Sequence, residues 1–166
     1  LLFPKSEDVQ GKSVPGHFPP EFWNYGMFKG ISEWVKKPVS PGTLGILTNP
    51  GHPLFKSFPT DYHTNWQWFS IIKASNAFIL NSTSEAYKPL VQVIDNLERN
   101  HKLGLIFEFK VGSGKLLVCM AQLNQIKDKP EALQLYQSII QYMSSNDFDP
   151  AYELDFNEMG RLLPHK

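Results

Sequence analysis

The run His63-Thr64-Asn65-Trp66-Gln67-Trp68 sets two indoles two residues apart, with imidazole and amide groups beside them. Flat aromatic faces next to hydrogen-bonding groups are what a sugar ring needs. His63, Asn65, Trp66 and Trp68 are therefore candidate sugar contacts. The competing reading is that either Trp66 or Trp68 anchors the core while the other covers a groove or a neighbouring domain. Trp23 and Trp34 fall on a separate helical stretch, where packing is the simpler role.

Carboxylates form the second group, because glycoside hydrolysis employs two of them. Asp95, Glu98 and Glu108 lie near one another in the chain. Asp95 and Glu98 belong to a polar connection, Asp95 to His101, whose charges are solvated or pair with Arg99. Asp95, Glu98, Arg99 and Asn100 are kept as candidate sugar or interface contacts. No residue is assigned a catalytic role.

Other chemistries find less footing. Cys119 stands inside the apolar run Leu117-Val118-Cys119-Met120, whereas a reactive thiol needs an exposed and usually electropositive setting. It also lacks the small flanking residues of a nucleophile elbow. Gly112-Ser113-Gly114-Lys115 lacks the spacing of a phosphate loop and precedes a strand, not a helix, so it reads as a hairpin turn. His17, His52, His63, His101 and His165 are scattered, with no pair at the helical spacing of a zinc motif. Neither a metal nor a cofactor is expected.

The elements that must position these groups can be read from periodicity. Leu1 to Pro4 predicts a short buried strand, and Lys5 to Pro20 a loop broken by glycines and prolines. Pro20 to Val35 predicts a helix, weakened by Gly26 and Gly30. Leu44 to Thr48 reads as a strand, Asn49 to Pro53 as a loop with Leu54, Phe55 and Phe58 tucked beneath it, Trp66 to Ala74 as a helix, and Ala77 to Leu80 as a strand. Three consecutive strands follow: Leu90 to Ile94, Leu103 to Val111 with clear alternation, and Leu116 to Ala121. The last two form an antiparallel hairpin, and the third, apolar throughout, should lie centrally with both faces covered. A helix from Lys129 to about Ser145 is expected, with Asp128 and Glu131 as a capping box and Ala132, Tyr136, Ile139, Ile140 and Met143 as its buried stripe. One further helical turn is expected near Phe156 to Leu163.

Composition bounds the class. The chain has 166 residues, 42% of them hydrophobic and 19% charged, which suits one globular domain. Lys plus Arg and Asp plus Glu balance at 16 each, so a nucleic-acid partner is not expected. No stretch reaches the roughly eighteen apolar residues of a membrane helix. A single cysteine leaves the compartment open. The chain starts Leu1-Leu2-Phe3-Pro4 without an initiator Met, which reads as a cut inside or just before a strand.

Taken together, several blocks resemble the C-terminal region of bacterial family-two glycoside hydrolases of the β-galactosidase type. They are His52-Pro53-Leu54-Phe55, Phe58-Pro59-Thr60, and His63 with Asn65-Trp66-Gln67-Trp68. Val91 to Asn96, Glu98-Arg99-Asn100, and Lys102 to Leu105 follow, then Phe107-Glu108, Lys110-Val111-Gly112, Gly114 to Cys119, and Pro130-Glu131-Ala132. The match covers about residues 40 to 148. It implies a non-catalytic accessory α/β domain over residues 1–148, followed by a tail at 149–166. Such a domain packs on the catalytic and other domains of its parent, drives oligomerisation or shapes the substrate cleft. The alternative is a carbohydrate-binding module built on the aromatic platform. The resemblance also implies a three-layer mixed sheet, flavodoxin-like and similar to class I glutamine amidotransferases, with an N-terminal truncation and the antiparallel hairpin near its C-terminus. The parent is expected to be a periplasmic or secreted bacterial enzyme. The family's two catalytic glutamates lie in a barrel, so no position here inherits them, and the amidotransferase cysteine is not carried over to Cys119.

Overall fold

A computed structural model of the chain describes residues 1–18, 30, 33–36, 43–97, 99–154 and 160. The helix expected over Pro20 to Val35, Trp23, Glu98, His165 and the helical turn near Phe156 lie mostly or wholly outside these residues.

The strand with the strongest alternation becomes the axis of the molecule. β5, Lys102–Val111, runs ten residues, and Leu103, Leu105, Ile106 and Phe107 are all fully buried. Apolar side chains on both pleat faces force neighbours above, below and to each side. On one side lies β4, Val91–Ile94, and beyond it β2, Gly45–Thr48. On the other side β3, Asn76–Ile79, pairs with the first half of β5. β6, Gly114–Cys119, pairs with the second half. β1, Ser13–Pro15, completes the sheet outside β3. The order is β1-β3-β5-β4-β2 with β6 joined to β5.

All five strand pairs are antiparallel. The expectation of a mixed α/β domain with a hairpin near its end therefore holds, whereas the flavodoxin-like and amidotransferase-like class is not confirmed. That class is wound from parallel strands joined by crossover helices, and among the described residues only isolated bridges are parallel. The physical reason is loop length: β5 and β6 are joined by two residues, which permits only an antiparallel return. Gly112 supplies the positive φ (55°) that this tight turn requires.

Several local expectations shift. Leu1 to Pro4 contributes one parallel bridge, Leu2 to Val118, in place of a strand, with Leu1 and Phe3 left exposed. β1 arises inside the predicted loop, because Ser13 to Pro15 finds a partner in β3 and Pro15 sits at the strand's end, where its missing N–H costs little. β5, not β6, holds the centre, although Leu117, Val118 and Cys119 are buried as expected. Gly104 lets the neighbours close in, since a Cβ there would stand 2.6 Å from Leu80 Cδ1 and 2.8 Å from Phe107 Cδ1.

Helices cover the sheet. A 3-10 turn at Pro53–Phe55 and another at Trp66–Trp68 lead to the short α1, Phe69–Lys73. The long α2, Pro130–Met143, packs on α1 and on the first turn. Its N-cap is Lys129 without a side-chain cap bond, so the Asp128 and Glu131 capping box does not form. Its buried stripe is Ala132, Leu135, Ser138, Ile139 and Tyr142. Ala132 and Ile139 face in as expected, whereas Tyr136 and Ile140 face out and Leu135, Ser138 and Tyr142 take the inner positions. Two polar ties fix this phase: Ser138 Oγ donates to the Leu54 carbonyl, and Tyr142 Oη donates to Glu108 on β5 at 2.9 Å.

The described tail also joins the fold. Lys110 bridges to Glu153, Tyr152 meets Tyr87 edge-on at 5.1 Å, and Leu154 is buried.

Candidate functional site

The two indoles of the aromatic run separate completely. Trp68 is 0% exposed, edge-on to Phe58 at 5.2 Å and to Phe55 at 6.4 Å, and its Nε1 donates to Thr60 Oγ1 at 2.8 Å. Trp66 is 72% exposed and leans on Phe18 at 5.2 Å and Phe69 at 5.8 Å. A 3-10 turn causes the split, because residues two apart on it point away from each other. Of the two readings of this run, the one with a single core anchor holds: Trp68 is buried, which removes it as a sugar contact, and Trp66 is a surface indole.

The flanking polar groups serve the edge of the sheet. Thr64 Oγ1 accepts from the Ile46 amide at 2.8 Å, and the Thr48 amide donates to the Tyr62 carbonyl at 3.0 Å. Segment 61–64 thus covers the open edge of β2, with His63 bridged to Leu47. His63 stays exposed, its Nδ1 3.1 Å from the Thr64 carbonyl. Asn65 donates to Asp61 at 2.8 Å, while its Oδ1 is buried without a partner among the described residues.

Asp95, Arg99 and Asn100 form a different unit. The Asp95 carboxylate accepts from Arg99 Nη2 at 2.7 Å and Nε at 3.1 Å, and from the amides of Asn96 at 2.8 Å and His101 at 2.9 Å. Burial alone would raise its pKa. The Arg99 guanidinium and the two amides outweigh that and hold the carboxyl below the usual range. Asn100 takes φ 51°, a left-handed position that asparagine tolerates, and its amide closes the turn onto the Asn96 carbonyl. Asp95 organises this loop, with its oxygens already engaged.

Glu108 stands apart from Asp95, on the long half of β5. Burial raises its pKa, against the Tyr142 hydrogen bond. The neighbouring carboxylate, Asp149, is exposed and tied to Lys115 at 3.2 Å and Lys110 at 3.4 Å. Among the described residues no group of His, Cys, Asp and Glu could hold a metal ion. No helix among them is long and apolar enough to cross a membrane.

Cys119 is fully buried, and that burial pushes its thiol up to about 12. Iodoacetamide at about pH 8 should leave the native thiol unlabelled, and urea should restore an ordinary rate. Fast labelling of the native chain, read by mass spectrometry, would contradict this packing.

The feature that sequence reasoning missed is a groove of about 560 Å³ lined by Leu47, Asn49, His52, Tyr62, Lys88 and Gln92. Its residues come from β2, β4 and the loops beside them. A second hollow of about 390 Å³ lies against α2, between Phe3, Leu133 and Tyr136.

A family model described as "Domain of unknown function (DUF8487)" matches residues 1–164. No curated protein matches the chain.

Proposed function

The chain belongs to the family described as a domain of unknown function (DUF8487), and we propose that it is a non-catalytic accessory domain of a β-galactosidase-type glycoside hydrolase. Its work is interdomain packing, through which it supports assembly or shapes the neighbouring substrate cleft. The observation that carries this reading is α2. One side of that helix is buried through Leu135 and Ile139, yet the other exposes Leu133 (54%), Tyr136 (45%) and Ile140. Phe3 adds to that outer face, 6.2 Å from Tyr136. A helix apolar on two sides is suited to burial on both, and contiguous exposed apolar surface marks an interaction site.

The chemistry agrees with such a role. Asp95 is spent on its own loop, Cys119 is sealed in β6, and Glu108 hydrogen-bonds a tyrosine. Tyr136→Glu combined with Ile140→Glu should leave the stability of the isolated chain within about 0.5 kcal/mol. In the full-length protein the same pair should free the domain to limited proteolysis. A full reading frame without a barrel domain upstream, or hydrolysis of nitrophenyl galactosides by the pure chain, would remove the glycoside hydrolase reading.

A further inference from the structure

We infer that the groove between β2, β4 and the Tyr62 loop is a binding site for a single sugar ring, with Tyr62 as the stacking face and Gln92, His52 and Asn49 as hydrogen-bonding partners. This site shares no lining residue with the hollow beside α2 and does not depend on the packing role.

Three observations carry it. The first is shape. The groove holds about 560 Å³, within the range of small-ligand clefts. Leu47 and Gln92 are cross-strand partners on β2 and β4, so a rigid sheet spaces its floor. The second is an unused aromatic face. Tyr62 is 70% exposed and makes no aromatic contact among the described residues, while its backbone is pinned by the Thr48 amide. An exposed ring on a tethered backbone presents a flat apolar surface at small entropic cost.

The third is a set of unengaged polar groups. The Gln92 side-chain amide makes no hydrogen bond within the described residues, nor does the Tyr62 hydroxyl or Lys88 Nζ. Asn49 accepts from the Gly51 amide through Oδ1, leaving its two N–H donors available. His52 accepts from the Leu54 amide at 3.2 Å through Nδ1, so the neutral ring carries its proton on Nε2. Burial lowers the pKa of His52 and favours that neutral form. The groove thus offers planar amides that both give and accept, a neutral imidazole donor and one ammonium. Paired donors and acceptors suit vicinal hydroxyls. A single cation at the rim is a poor match for a phosphate or nucleotide, which selects clustered positive charge and a cradle of backbone amides.

The test is a titration of the isotope-labelled chain with galactose, glucose, N-acetylglucosamine and a β-linked disaccharide, followed by amide chemical shifts. At least one sugar should bind saturably, with a dissociation constant of about 1 mM or tighter, and shift residues 47–49, 52, 62 and 88–92. Tyr62→Ala should weaken binding about tenfold or more without lowering the melting temperature, since that ring is exposed. Gln92→Ala should weaken it as well, and Trp66→Ala should not. No saturable shift with any of these sugars overturns the proposal. So does binding indifferent to Tyr62→Ala and Gln92→Ala. Shifts at the groove with inorganic phosphate alone, abolished by Lys88→Ala, would also overturn it, by showing a simple anion site. None of these outcomes bears on the α2 face, so the two readings fail separately.

Discussion

Trp68→Ala should cost about 3–5 kcal/mol of folding stability, whereas Trp66→Ala should cost about 1 kcal/mol or less. The first figure follows from a fully buried indole wedged edge-on between Phe55 and Phe58, with its N–H held by Thr60. Truncation removes the largest of the fully buried side chains and leaves a void that Phe55 and Phe58 cannot fill without moving. The second follows from a ring that is mostly in water and leans on Phe18 and Phe69. A domain of this size loses roughly 2–4 °C in melting temperature per kcal/mol, so the two variants should differ by on the order of 10 °C. Thermal melts followed by near-ultraviolet circular dichroism would read this difference directly. Equal losses from both variants would mean that the indoles share one environment, and the assignment of core and surface would fall.

That contrast also marks the boundary of what periodicity reveals. β2, β4, β5 and β6 announce themselves because each is an apolar-rich run bounded by turn or polar residues, and β5 adds alternation along most of its length. The burial of Leu54, Phe55 and Phe58 was legible because prolines and glycine ahead of them exclude a regular element. The pairing of Asp95 with Arg99 was equally legible as opposite charges four residues apart in one short loop. By contrast, which of two indoles enters the core depends on where a 3-10 turn starts, and a shift of one residue reverses the answer. Local spacing leaves the phase of α2 partly open for a related reason. The helix carries more apolar residues than one stripe needs, and contacts from Leu54 and Glu108, distant in sequence, decide which of them face in.

Topology and the groove were hidden more deeply. β1 is three residues long, and what makes it a strand is the edge of β3, some sixty residues further on. The groove draws on Leu47, Tyr62, Lys88 and Gln92, which no local spacing connects. They converge because β2 pairs with β4 and segment 61–64 folds back over the edge of β2. The polar groups that looked most chemical in sequence, Asp95 and Asn65 among them, are bound into local structure. Those that remain available carry no local signal, because Gln92 sits inside an ordinary apolar strand and Lys88 in the loop that leads to it.

Asp95→Asn should destabilise the fold by about 2–3 kcal/mol at neutral pH, the range for hydrogen bonds to a buried charged group. The carboxylate is 1% exposed and accepts from Arg99 and from the amides of Asn96 and His101. An asparagine keeps the shape but turns one acceptor into a donor facing other donors and removes the charge that balances Arg99. The pH dependence has a fixed sign. Because the folded pKa of Asp95 lies below its unfolded value of about 3.9, its contribution is complete above that value and is lost as pH falls through it towards the folded pKa. Urea midpoints of wild type and Asp95→Asn should therefore differ most near pH 7 and draw together below about pH 4. His52, whose folded pKa is lowered by burial, also weakens the fold on acidification, starting near its unfolded value of about 6.5. Glu108, whose pKa is raised, acts in the opposite sense. Both are present in the two proteins, so they cancel in the difference, and the convergence isolates Asp95. A difference that stays constant from neutral to acid pH would mean that the loop from Asp95 to His101 is held by shape alone, with the charge on Asp95 contributing nothing to it.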